Sequence, residues 1–400
     1  MPGNISPRWN SRNTPPVTEP RSQSSVIQSS RIAVFLATSG HSGVDRIMRN
    51  LIPEIAARGY RVDLLQVREH GPYLETLPAN VTRIDLGHRH TYSCLPALVR
   101  YLRRHRPLLL LSDKDRVNRT ALLARWLSGT NTPLIFRLGT TVSINLASRG
   151  RFDRWLQRTS IGRLYRFSQR VLVPSRGVAD DLSAYTGLSP EKIRVVPSPG
   201  IPDDLFDRTL PLPDHPWFRE PELPVILSAG ELGARKDFAT LLRAFTLLRA
   251  RRPCRLVIIG RGKQREQLLE LADTLGIRAD VDLPGFVENP YSYMAHADLF
   301  AFSSRWEGLG LVLVEALALG TPVVATDCPS GPAEILQHGR FGQLVPVGDP
   351  GALARAMEAT LDDKKSRDFL QQAATPYTVS AATDAYLSAM ALPLRVDRRP

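Results

Sequence analysis

The 400-residue chain has only three cysteines, Cys94, Cys254 and Cys328, in no C-x-x-C pair. That rules against a disulfide framework or a zinc ribbon and favours a reducing compartment. No run approaches the roughly 18 consecutive apolar residues that a spanning helix needs; the densest, Leu108 to Leu111, suits a short buried strand. The first 30 residues are rich in Ser, Pro, Arg and Asn and lack the apolar centre of a secretory signal, so residues 1–30 read as a disordered tail. Acidic residues are scarce in one half only. Residues 1–200 carry 30 Lys and Arg against 13 Asp and Glu, whereas residues 201–400 carry 22 against 26. The first half therefore meets something anionic or simply presents a solvated basic face.

What is present is an ordinary globular mixture, 43% apolar and 23% charged, long enough for two cored domains. Ile32 to Leu36 is a continuous apolar run of the kind found in a parallel strand buried on both faces. A loop, Thr38 to Gly43, follows it. Val44, Ile47, Met48, Leu51, Ile52 and Ile55 then recur at helical spacing up to Gly59, with a kink expected at Pro53. Another strand begins near Val62. This strand, glycine loop, helix, strand order opens a doubly wound α/β domain, and the alternation runs to about Val195.

Residues 197–224 are dense in proline and mark a boundary. Alternation then restarts with strand Val225–Ala229, helix Phe238–Arg249 behind an Asp237 cap, strand Leu256–Ile259 and helix Gln264–Leu275. Strand Asp298–Phe302, helix Leu311–Leu319 closed by Gly320, and strand Val323–Thr326 follow. The expected fold class is α/β, with two Rossmann-like doubly wound domains, residues 31–200 and 201–376, facing across a cleft.

The segment SSRWEGLGLVLVEALALGTPVVATDCPSG, residues 303–331, carries the chemistry. Glu307 lies in the loop after a strand. Gly308 and Gly310 permit close backbone approach to a ligand, and the helix from Leu311 aims unpaired N–H groups into the same space. Glu315, eight residues on, sits in an otherwise apolar helix and needs donors, which sugar hydroxyls would supply. Arg235 and Lys236 stand between a strand and a helix, where cations suit an anionic leaving group.

The spacing from Glu307 to Glu315, followed by Gly320, Thr321, Pro322, Val323 and Val324, closely resembles the E-x7-E element of glycosyltransferase family 4, whose members have the GT-B fold. The similarity extends over residues 285–310 and covers most of the second domain. It implies that Glu315 binds the ribose of a nucleotide-diphosphate sugar and that Glu307 contacts the transferred sugar. Gly308, Leu309 and Gly310 would offer backbone N–H groups, and Lys236 matches the family's lysine. Gly230 lies in the same donor-binding region, and Gly285, Phe286 and Val287 resemble the nucleobase loop, although Phe286 could equally be core. Gly260, Arg261 and Gly262 look like the family's G-x-G turn. Gly40 to Gly43, with Val44, Asp45 and Arg46 after them, resembles the loop near acceptor and diphosphate. The resemblance further implies retention of anomeric configuration, a tail from Pro376 returning as a helix to the first domain, and no cofactor or metal. Asp113-Lys114-Asp115 imitates a metal motif and reads as a loop.

Two departures stand out. Glu231 occupies a place where the family commonly has arginine, so Arg235 or Arg305 would have to compensate. The loop Phe136 to Ser143, where many members carry a histidine, contains none; Gly139 or Thr140 takes its place, and the loop would contact the donor through backbone and Thr140. His41, His88, His90 and His105 lie elsewhere and read as exposed residues. These departures leave open a catalytically impaired relative that binds sugar nucleotides or glycans.

Two arginine-rich segments belong to the basic half. In residues 95–107, Leu95, Leu98 and Leu102 share a face flanked by Arg100, Arg103, Arg104 and Arg106. In residues 149–170, seven arginines (149, 151, 154, 158, 163, 166 and 170) lie among Phe152, Trp155, Leu156 and Phe167. Such helices either lie on an anionic membrane surface or pack their apolar residues inward. No nucleic-acid reading motif accompanies them, so nucleic acid is not an expected partner. The expected partners are a nucleotide sugar and a glycan or lipid-linked acceptor, and the expected location is cytoplasmic, peripheral to the inner membrane face.

Overall fold

The computed structural model describes residues 30–393 except 41, 148–149 and 220–221. The expected N-terminal tail, His41, Arg149 and residues 394–400 therefore lie outside the described residues, apart from Ser30. Two parallel sheets organise the chain. The first contains β1 (Arg31–Leu36), β2 (Arg61–Gln66), β3 (Val81–Asp85), β4 (Leu109–Asp113), β5 (Leu134–Arg137), β6 (Arg170–Val173) and β7 (Ile193–Val195), in the order 3-2-1-4-5-6-7. The second contains β8 (Val225–Ala229), β9 (Arg255–Ile259), β10 (Val281–Gly285), β11 (Leu299–Phe302), β12 (Val323–Thr326) and β13 (Gln343–Val345), in the order 10-9-8-11-12-13. Helices cover both faces of each sheet, which is why the central strands are buried on both sides and mostly apolar. The chain thus has the α/β GT-B architecture of two Rossmann-like domains.

Each sheet reverses its strand order once, between β1 and β4 in the first and between β8 and β11 in the second. Crevices open outside the carboxyl ends of strands at such points, and here the two crevices face each other. The loops after β1 and β4 and those after β8 and β11 are consequently the ones that meet in the cleft.

The Gly43–Ala57 helix runs on through Pro53, where a kink was expected. Asp113-Lys114-Asp115 is not a loop. Asp113 ends β4 as a buried register partner of Arg137, and Asp115 starts the Asp115–Ser128 helix. The Leu95–His105 helix turns Leu98, Tyr101 and Leu102 into the first-domain core, which corrects the membrane reading for that segment.

The chain crosses between the domains twice, and the crossings are stitched together. Gly200 and Ile201 both donate backbone N–H groups to the Tyr377 carbonyl at 3.1 Å, and Val379 donates to that of Ile201 at 2.8 Å. The Val379–Ala389 helix then packs on the first domain. Tyr386, Leu387 and Met390 enter its core beside β1 and β2, and Arg58 Nε donates to Asp384 at 2.7 Å.

Candidate active site

β8 and β11 end side by side, so the segments that follow them converge. Asp237, in a left-handed conformation, caps the Phe238–Arg249 helix through Thr240, and this fixes Arg235 and Lys236 just before the helix. Glu307 lies in the loop after β11. Lys236 Nζ stands 2.8 Å from its Oε1, Arg235 Nη1 stands 3.3 Å from its Oε2, and Ser304 Oγ donates to Oε1 at 2.9 Å. Lys236 also lies over the Phe302 ring. Glu307 is only 6% exposed. Burial pushes its carboxyl up, but Lys236, Arg235 and Ser304 outweigh burial and hold it below the usual range.

Gly310 has φ of +95°, which a side chain would strain, and the Leu311–Ala318 helix that follows has no side-chain cap. Leu313 donates its N–H to the Gly310 carbonyl at 2.9 Å, which leaves the N–H groups of Leu311 and Val312 at the open end of the helix. Glu315 lies deeper in this helix and is almost fully buried. Its carboxylate is ion-paired with Arg46, which comes from the first domain's Gly43–Ala57 helix and also donates to the Tyr291 hydroxyl. Burial raises the Glu315 pKa, and the Arg46 charge only partly opposes it.

A cleft of about 780 Å³ lies between the domains. Among the expected site residues it brings together Gly43 and Thr140 from the first domain with Arg235, Glu307, Gly308, Leu309 and Gly310 from the second. Lys236 joins them through Glu307. The domains touch along this wall: Thr141 Oγ1 donates to the Glu307 carbonyl at 3.0 Å, and Ser175 Oγ to that of Gly308 at 2.8 Å. A Cβ at Gly308 would stand 2.1 Å from the Gly139 carbonyl, so this glycine is required by the close approach of the two loops.

Other expected residues have different surroundings. Gly40 is buried beneath Tyr73, with φ of +88°. Gly230 packs against the Lys236 stem, and Gly260 and Gly262 lie so close to the backbone of Gly230 and Leu232 that packing alone requires them. Phe286 is not core; it is 62% exposed with the Arg261 guanidinium 5.1 Å from its ring centre. Val287 is half-buried against the second-domain core. Of the two arginines considered as compensation for Glu231, Arg235 faces the cleft whereas Arg305 pairs with Asp237 at 3.3 Å.

The sequence reading set Asp113 and Asp115 aside as a loop and missed Arg137 and His70, yet all four line the cleft; it also missed the Arg46–Glu315 contact. Arg137 carried a signal: a charged residue ending an apolar strand on a buried sheet. Among the described residues no group of His, Cys, Asp and Glu could hold a metal ion, and no helix is long and apolar enough to cross a membrane. The second arginine-rich segment differs from the first. The Arg151–Leu164 helix turns Gln157 and Ile161 to the cleft, while Phe152, Trp155 and Leu156 are exposed on its other side.

Two family models match in tandem, a glycosyl transferase 4-like domain over residues 42–199 and glycosyl transferases group 1 over residues 215–376. One relative is the N-acetylgalactosamine-N,N'-diacetylbacillosaminyl-diphospho-undecaprenol 4-alpha-N-acetylgalactosaminyltransferase of Campylobacter jejuni. It is 28% identical over 84% of this chain and 92% of its own length. Another is the lipopolysaccharide core biosynthesis glycosyltransferase LpsE of Rhizobium meliloti, 36% identical over 42% of this chain and 50% of its own. Among solved structures, Anabaena HepE in complex with UDP and glucose superposes with a TM-score of 0.72 at 19% identity, covering 90% of this chain and 99% of that one.

Proposed function

Because the chain belongs to the GT-B glycosyltransferases of the family 4 type, we propose that it moves a sugar, with retention of configuration, from a nucleotide-diphosphate sugar to a lipid-linked or cell-envelope glycan. The observation that carries this reading is Glu307, held by Lys236 and Arg235 where the carboxyl ends of both sheets converge. The diphosphate would lie against Arg235, Lys236 and the N–H groups of Leu311 and Val312. Charge that develops as the glycosidic bond breaks is stabilised there by groups already in place, an effect worth several kcal/mol in a water-poor site. Glu307 is pinned by two cations and a hydroxyl, so it suits orienting a sugar hydroxyl better than attacking carbon. The acceptor oxygen would then approach on the face the diphosphate leaves, with positioning as the protein's contribution. Glu315 would hold the ribose, with Phe286 and Val287 near the base.

The acceptor class is inferred from the undecaprenol-linked substrate and the lipopolysaccharide role named for the two relatives. It agrees with the exposed aromatic face of the Arg151–Leu164 helix, whose arginines complement anionic lipid at the inner membrane face. The first test is thermal stabilisation by a panel of UDP-, GDP-, ADP- and dTDP-sugars, since a ligand that binds only the folded state raises the melting temperature. A selective shift that disappears in Glu315→Ala supports the donor site. No shift with any of them would overturn the reading.

A further inference from the structure

Arg137, the last residue of β5, is the largest fully buried side chain among the described residues. Its Nε donates to the Tyr386 hydroxyl at 2.8 Å, and its Nη1 is ion-paired with Asp113. A guanidinium has five N–H groups, and these two partners engage only part of the fork. The side chain lines the cleft, and what lies over it is Gly139, where a Cβ would stand 3.3 Å from Nη1. The same loop is locked onto the opposite wall by Thr141 on the Glu307 carbonyl and by Gly139 against Gly308. Arg137 is 1% exposed, so what it turns to the cleft is the narrow part of its fork that the missing side chain of Gly139 leaves uncovered, on the side of the loop that holds Glu307.

A buried cation with one carboxylate adds little stability over an apolar side chain of similar volume, so packing alone does not account for it. The uncovered edge points to a ligand rich in oxygen acceptors. The segment that follows β5, Leu138 to Thr141, carries no charged side chain, and Arg137 is the cation beneath it, where the sequence had suggested one loop from Phe136 to Ser143.

We propose that Arg137 is the first domain's contact to the transferred sugar, donating from the guanidinium edge that Gly139 leaves open to a sugar oxygen of the donor. This rests on the transferase reading and names a residue of that same site. Arg137 donates hydrogen bonds only; as a permanently charged group it neither takes nor gives a proton.

The test compares two ligands on three proteins. The nucleotide sugar that most stabilises the wild type and its bare nucleoside diphosphate are titrated calorimetrically into wild type, Gly139→Ala and Arg137→Lys. Gly139→Ala sets a methyl over the guanidinium edge and leaves the Asp113 and Tyr386 partners in place, so it remains informative even where Arg137→Lys does not fold. The expected result is that both variants bind the nucleoside diphosphate within twofold of wild type but bind the nucleotide sugar about tenfold more weakly. Unchanged nucleotide-sugar binding in both overturns the inference and leaves the transferase reading standing. Equal weakening for both ligands also overturns it, placing Arg137 at the diphosphate or in domain closure. So does a change confined to the acceptor KM. A wild type that binds no nucleotide removes the transferase reading and the inference with it.

Discussion

Arg46 in the first domain and Glu315 in the second form an ion pair across the cleft, with Arg46 also bonded to Tyr291 and lying 5.8 Å over its ring. The carboxylate proposed to hold a ribose is thus answered by a cation from the facing domain. Arg46→Met should leave a buried carboxylate without its cation, lowering stability by roughly 3 kcal/mol. It should also loosen the closed cleft, read as a larger radius of gyration in small-angle scattering without nucleotide. Glu315→Gln should weaken nucleotide binding about tenfold, or roughly 1.4 kcal/mol, by calorimetry.

Glu307 makes a pH prediction whose sign is fixed by its neighbours. Its folded pKa lies below the ordinary 4.5, so its charged form stabilises the fold. That contribution is complete above the unfolded value and is lost as pH falls through the folded one. The melting-temperature gap between wild type and Glu307→Gln should be open at neutral pH and close at acid pH below 4.5. A gap that widens on acidification would contradict the assignment.

Lys236→Ala should lower kcat by about 10² to 10³, the range for removing one group that stabilises developing charge. Arg305→Ala, at a residue paired with Asp237, should leave turnover within a few-fold of wild type. Steady-state kinetics on the two variants separates the cation proposed to serve the leaving group from the one paired with Asp237.

On the Arg151–Leu164 helix, Phe152→Ser combined with Trp155→Ser should reduce sedimentation with phosphatidylglycerol vesicles by several-fold while leaving the melting temperature unchanged, since both rings are already in solvent. Binding by the wild type should also fall as salt is raised.

How much of this was legible in the sequence varied with the range of the contact. β8, the Phe238–Arg249 helix and β12 have the bounds the sequence suggested, because buried parallel strands and amphipathic helices write their periods locally. Glu307, Lys236 and Arg235 were each legible as site residues after a strand, but their pairing rests on β8 and β11 lying side by side in the sheet. Asp113 with Arg137 was not legible: they are partners only because β4 and β5 pair in a particular register, and a charge at the end of an apolar run looks like the start of a loop. Arg46 with Glu315 depends on how two domains close, which no local pattern records. Leu98 and Leu102 on one segment and Phe152 and Trp155 on the other look alike in sequence, yet the leucines are buried and the aromatics face solvent.

The last helix also fixes an order of assembly. Every strand of the first sheet leaves the ribosome before the second domain begins, but Tyr386, Leu387 and Met390, which close the face beside β1 and β2, emerge after it. The domain begun first is completed last, so the second domain has to fold as an insertion within an unfinished one. A nascent chain halted anywhere before residue 379 exposes an apolar face and lacks the hydroxyl that holds Arg137. The first domain's apolar face beside β1 and β2 is therefore covered only once the last helix has been made.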